Sequence, residues 1–88
     1  MVEIKKKAWP DFFEVVKSGK KKFDLRLNDF DVKEGDVLIL EEWNPKTKKY
    51  TGRKLKKKVT HVVKTNLLPF FTDKEVHDLG FVVMSLED

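Results

Sequence analysis

The chain contains no cysteine and no glutamine, and its only serines are Ser18 and Ser85. The missing thiols exclude disulfides, cysteine-ligated zinc, iron–sulfur clusters and thiol chemistry. Two histidines, His61 and His77, are too few for a histidine-rich metal site, so neither metal nor cofactor is expected. No apolar run approaches the ~20 residues of a membrane span, and the opening "MVEIKKKAWP" lacks the apolar stretch of a signal peptide. The expectation is a cytoplasmic protein with no membrane partner. A chain without Gln or Cys but rich in Lys, Glu and Asp also leans toward the residue usage of thermophiles.

What is present fits one ordered domain spanning 1–88. Of 88 residues, 40% are hydrophobic, including seven Phe and two Trp, and these fall in periodic runs rather than scattering. Charge is unevenly placed around a net +4. Residues 46–58, "KTKKYTGRKLKKK", hold eight basic side chains and no acid, whereas 66–88 hold Lys74 against five acids. Such a basic side attracts polyanions.

"VEIKKKA" reads as a first strand. Trp9-Pro10 opens a helix, with proline in the first turn where no amide donor is needed, and Phe12, Phe13, Val15 and Val16 form its apolar stripe. Gly19 caps it. In "KFDLRLND", Phe23, Leu25 and Leu27 alternate with Lys22, Asp24 and Arg26, the period of a half-buried strand with the apolar row turned to the core. "DVKEGD" is a turn around Gly35, and Val37 to Trp43 is a strand apolar on both faces, hence interior. A long strand follows from about Tyr50 to Lys64, with Gly52 a bulge and His61 alternating with Val59 and Val63 as a packed histidine. "TDKEVHDLG" carries a capping box for a second short helix, and "FVVMSLE" is a returning strand. The order β-α-β-β-β-α-β predicts an α+β fold: a small, mostly antiparallel β-barrel with two short helices.

A helix ending in "SGKK", the strand "KFDLRLND" and then "VKEGDVLIL" resemble the ASCH superfamily of PUA-like barrels, and the stretches "EEWNPKTKKYTGRKLKKKVTHVV" and "GFVVMSLED" are similar to a small prokaryotic and phage branch of it. The resemblance implies a PUA-like barrel that binds RNA in a cleft beside the first helix and second strand. Some relatives are small amidohydrolases acting on N4-acylated cytidines, with a Lys, a Thr three residues later and a distant Glu as their catalytic set. Lys21 falls on the lysine position, Asp24 replaces the threonine, and Glu75 is the candidate for the third member. A carboxylate at 24 offers no hydroxyl for acyl transfer.

Three functions follow. The first is an RNA-binding module whose contacts are Lys20, Lys21, Asp24 and Arg26 in the cleft and Tyr50, Arg53, Lys54, Lys56 and Lys58 on the basic strand. In it Arg26 grips a phosphate or base edge and Asp24 orients it or accepts from an amino group, while the lysines follow the backbone beside one stacking ring. The second is a nucleoside hydrolase using the same cleft, and the third a protein-interaction domain, the basic strand meeting an acidic partner. Trp9 and Trp43 read as packing residues, and the lysine-dressed strand also serves to resist edge-to-edge aggregation. A monomer is expected.

Overall fold

The computed structural model describes residues 1–65 and 80–88. The second helix expected over 72–80, together with Glu75 and His77, falls largely or wholly outside the described residues. The elements within them are β1 (Glu3–Ala8), α1 (Pro10–Lys17), β2 (Phe23–Leu27), β3 (Val37–Asn44), β4 (Lys49–Lys64) and β5 (Phe81–Glu87). The five strands form one sheet in the order β1-β3-β4-β5-β2. It is parallel only between β1 and β3 and antiparallel elsewhere. The result is a mixed α+β half-barrel with α1 against it, and β1 and β2 are its two edges.

Each element follows from local chemistry. Helix α1 starts at Pro10, whose missing amide costs nothing in a first turn, and Trp9 precedes it in an extended conformation. It stops at Ser18, followed by Gly19 with φ +82°, a backbone angle that glycine adopts without a Cβ penalty. Of its apolar stripe, Phe13 and Val16 are buried while Phe12 and Val15 remain exposed. Burying a side chain such as Phe13 is worth about 1.5–3 kcal/mol.

The core lies on the concave face, where Phe13 and Val16 meet Leu38, Leu40, Val59, Val82, Met84 and Leu86. Strand β3 is buried at Leu38, Ile39 and Leu40, as a strand flanked on both edges should be. The ladder between β3 and β4 shifts register between Glu41 and Trp43, opposite Gly52 with φ +94°, and this is the expected bulge. A second shift between Val59 and His61 was not legible in the alternation. It inserts Thr60 and moves His61 to the outer face, so the packed histidine expected there is instead exposed, its Nδ1 3.0 Å from Glu34 Oε1.

Strand β2 corrects a larger expectation. Its polar residues, not its apolar ones, face the core: Asp24 is only 6% exposed, whereas Phe23, Leu25 and Leu27 are 47%, 52% and 47% exposed. The pairing register is the cause. Asp24 lies opposite Met84 and Arg26 opposite Val82, both fully buried, while Leu27 lies opposite the exposed Phe81. An edge strand can carry charge on its inner face when that face opens onto a gap in the sheet.

Two ionic clusters brace the shell. Arg53 on β4 donates to Glu14 of α1 and to the buried Glu42 of β3, with Nε 3.1 Å from Glu42 Oε1, and its guanidinium lies 4.7 Å from the Phe13 ring centre. Thr51 Oγ1 completes the Glu42 site by donating at 2.7 Å. The bond to Arg53 holds the Glu14 carboxyl below its ordinary value and keeps the Arg53 guanidinium above its own. Asp36 accepts from the backbone amides of Lys33 at 2.9 Å and Val2 at 3.1 Å, which ties the start of β1 to the turn before β3. These amide donors, Lys33 first, lower the Asp36 pKa.

Candidate functional site

The open seam between β1 and β2 is a cleft of ≈ 460 Å³. Leu40 and Ala8 form its apolar base, Trp9 and Phe12 come from the start of α1, and Phe23 to Arg26 supply the β2 side. The inverted strand creates the polar part. Arg26 Nε donates to the Asp24 carboxylate, and Arg26 Nη2 donates 2.9 Å to the Lys7 carbonyl on the opposite edge. One guanidinium therefore clasps the two free edges of the half-barrel and satisfies an acceptor that β1 cannot pair within the sheet.

Lys21 reaches the same cleft from the turn after α1. Its backbone amide donates to Val15 O at 2.9 Å, which fixes the turn. Its ammonium lies 5.5 Å from the Phe12 ring centre and 5.2 Å from that of Phe23, within the range of cation–π attraction. The side chain is half-buried rather than fully solvated. The cleft thus combines one buried carboxylate, the basic residues Lys7, Lys21 and Arg26, and three partly exposed aromatic rings (Trp9, Phe12 and Phe23).

The structure brings Lys21, Asp24 and Arg26 together and leaves the other expected contacts elsewhere. Lys20 is exposed in the turn and does not line the cleft. Arg53 is engaged in the brace to Glu14 and Glu42. Lys54, Lys56 and Lys58 lie on the outer face of β4, opposite Glu41, Ile39 and Val37. Two of them are partly neutralised: Lys54 Nζ is 3.5 Å from Glu41 and Lys56 Nζ 3.4 Å from Glu3. Tyr50 is exposed beside Trp43 at the end of that face.

Topology adds residues that the alternation alone did not single out. Because β1 pairs with β3 in parallel, Lys5 and Lys7 lie opposite Ile39 and Glu41 and so share the outer face with the β4 lysines. Lys7 stacks 4.1 Å from the Trp43 ring centre. Trp9 and Phe12 enter the site as its walls, although Trp9 reads as a packing residue in the sequence. The signal for them is apolar bulk at a helix start facing the charged row of β2.

Among the described residues no group of His, Asp and Glu is arranged to hold a metal ion, and no helix is long and apolar enough to cross a membrane.

Comparison with known proteins bears on this geometry. Residues 4–86 match the model of a family described as a domain of unknown function, DUF3850. An uncharacterized 12.9 kDa protein of Escherichia phage P2 is 39% identical over 51 residues, which cover 58% of this chain and 45% of the phage protein. The chain thus spans less than half the length of that relative. The crystal structure of a hypothetical protein, PH0355, superposes with a TM-score of 0.66 at 23% identity, covering 99% of this chain and 98% of the other, a likeness of fold.

Proposed function

This chain belongs to the DUF3850 family of domains of unknown function, and we propose that it is an RNA-binding module that holds an unpaired base in the seam cleft while its outer lysines follow the backbone. The carrying observation is the inverted strand, which sets Asp24 and Arg26 inward beside Lys21 and against exposed rings. Aromatic faces stack bases of any identity, and nearby cations meet phosphate. The resemblance to ASCH domains of PUA-like architecture supports the same reading, since those domains are thought to bind RNA beside the equivalent helix and strand.

Binding is favoured over hydrolysis. Acyl transfer needs an activated nucleophile, a base and oxyanion donors. Among the described residues no Ser or Thr lines the cleft, Asp24 is committed to Arg26, and the Lys21 ammonium is held over the Phe12 and Phe23 rings rather than aimed at a nucleophile. N4-acetylcytidine should therefore not turn over. The direct test is a salt-series titration against single-stranded RNA, structured RNA and duplex DNA. Single strands are expected to bind best, with log K falling by about 0.7 per contacted phosphate for each decade of salt. Efficient turnover of N4-acetylcytidine, lost in Lys21→Ala, would replace this reading with the amidohydrolase.

A further inference from the structure

Trp9 and Phe12 border two hollows, not one. On one side they wall the seam cleft. On the other they face a second hollow of ≈ 280 Å³, closed across from them by Asn44, Pro45 and Lys46 of the β3–β4 turn and floored by Pro10 and Asp11. Both rings are more than half exposed, Trp9 at 52% and Phe12 at 57%, although they stand at the start of a helix that buries Phe13 and Val16. The two rings thus form a half-exposed partition that both cavities share.

The far wall is built to keep its shape. The Asn44 side-chain oxygen accepts from the Lys46 amide at 2.8 Å and the Thr47 amide at 3.4 Å, which locks the turn. Lys46 is exposed at its rim. The two hollows share Trp9 and Phe12 as an aromatic wall, and each has a carboxylate (the buried, Arg26-paired Asp24 or the exposed Asp11) and a lysine (Lys21 or Lys46) in its lining.

From this shared wall we infer that the ligand is a single strand read two nucleotides at a time, one base in the seam cleft and its neighbour in the second hollow, with Trp9 and Phe12 stacked between them. The inference rests on the RNA-binding reading of the seam cleft and goes beyond it by setting a minimum ligand length. A continuous polyanion suits two cations placed on either side of the partition, whereas a single nucleoside engages only one of them. Duplexes are excluded from this mode, because both bases must be unstacked to straddle the rings.

The experiment is a calorimetric ladder of single-stranded RNA from one to four nucleotides, in each of the four bases, with the wild-type chain and with Lys46→Glu. Stacking a second base should raise affinity on the order of tenfold from mononucleotide to dinucleotide, with smaller steps beyond. Lys46→Glu, which takes away the cation met by the second nucleotide, should reduce that step and leave mononucleotide affinity unchanged. Equal affinity for mononucleotide and dinucleotide, with the mononucleotide still bound, overturns the two-base inference while the cleft reading stands. If no member of the ladder binds, the RNA-binding reading itself is overturned.

Discussion

In β4 the lysines at 54, 56 and 58 point away from the core and Val59 points into it, whereas in β2 Asp24 and Arg26 point inward and Phe23, Leu25 and Leu27 outward. Both strands alternate with period two, and what separates them is their place in the sheet. Strand β4 lies between β3 and β5, so an inward charge there must find a partner, as Lys57 does in Asp88. Strand β2 is an edge whose inner face opens onto a seam. Charge can sit there if it is paired, and the Arg26 clasp to the Lys7 carbonyl gives it structural work. A polar row turned inward at an edge therefore marks a cleft, while a polar row turned outward in mid-sheet marks a face.

The largest effect that could break this contrast is expected from Asp24→Ala. It strands the Arg26 guanidinium in a half-buried seam and should cost about 2 kcal/mol, between the ~0–1 of a surface pair and the ~3–5 of a fully buried one. Urea denaturation measures it, and a loss of only a few tenths would reduce the β2 pair to ordinary surface. Next comes the triple change Lys54→Glu, Lys56→Glu and Lys58→Glu. If those lysines contact phosphate, it should make the salt slope for single-stranded RNA shallower by about 2 and weaken every sequence alike. An unchanged slope would leave the outer face as an anti-aggregation surface only.

A smaller effect separates brace from binding site. Arg53→Ala should lower the melting temperature by loosening α1 from β3 and β4, and Arg53→Lys should restore it only in part, since a single ammonium cannot bridge Glu14 and Glu42 with the same fork. Full rescue by lysine would show a simple charge effect. The smallest is expected at acid pH. The Asp36 pKa is lowered in the folded chain from an ordinary 3.8, so its contribution is fully present above that value and is lost as pH falls through the lower, folded one. Glu14 and Asp88 are shifted the same way by Arg53 and Lys57. Stability should be flat from neutrality to about pH 5 and fall below pH 4, and Asp36→Asn should soften that fall in a pH series of thermal melts.

How much of this was legible in the chain depended on how local the cause was. Helix α1, its Pro10 start and its Gly19 stop are set by neighbouring residues and could be read directly, as could the bulge at Gly52. The facing of β2 could not, because alternation states only that two faces differ, and pairing with Met84 and Val82 decides which is inner. His61 was misplaced by a bulge at Thr60 that no glycine announces. Arg53 reads as one more cation in a basic run, and its partner Glu14 lies 39 residues away. Of the candidate site, Asp24 and Arg26 stand in the charged row and Lys21 is named by the family resemblance, while Trp9 and Phe12 become visible only once α1 is set beside the seam.

The seam cleft, rather than the lysine face alone, is the centre of the account, and Trp9 reports on it directly. The chain has two tryptophans, so Trp43→Phe leaves Trp9 as the sole indole emitter. Titrating that variant with single-stranded RNA should quench Trp9 fluorescence saturably, with the quench weakened in Lys21→Ala. RNA binding that saturates by an independent measure while Trp9 emission stays unchanged would contradict the account, placing the ligand on the outer face and leaving the cleft empty.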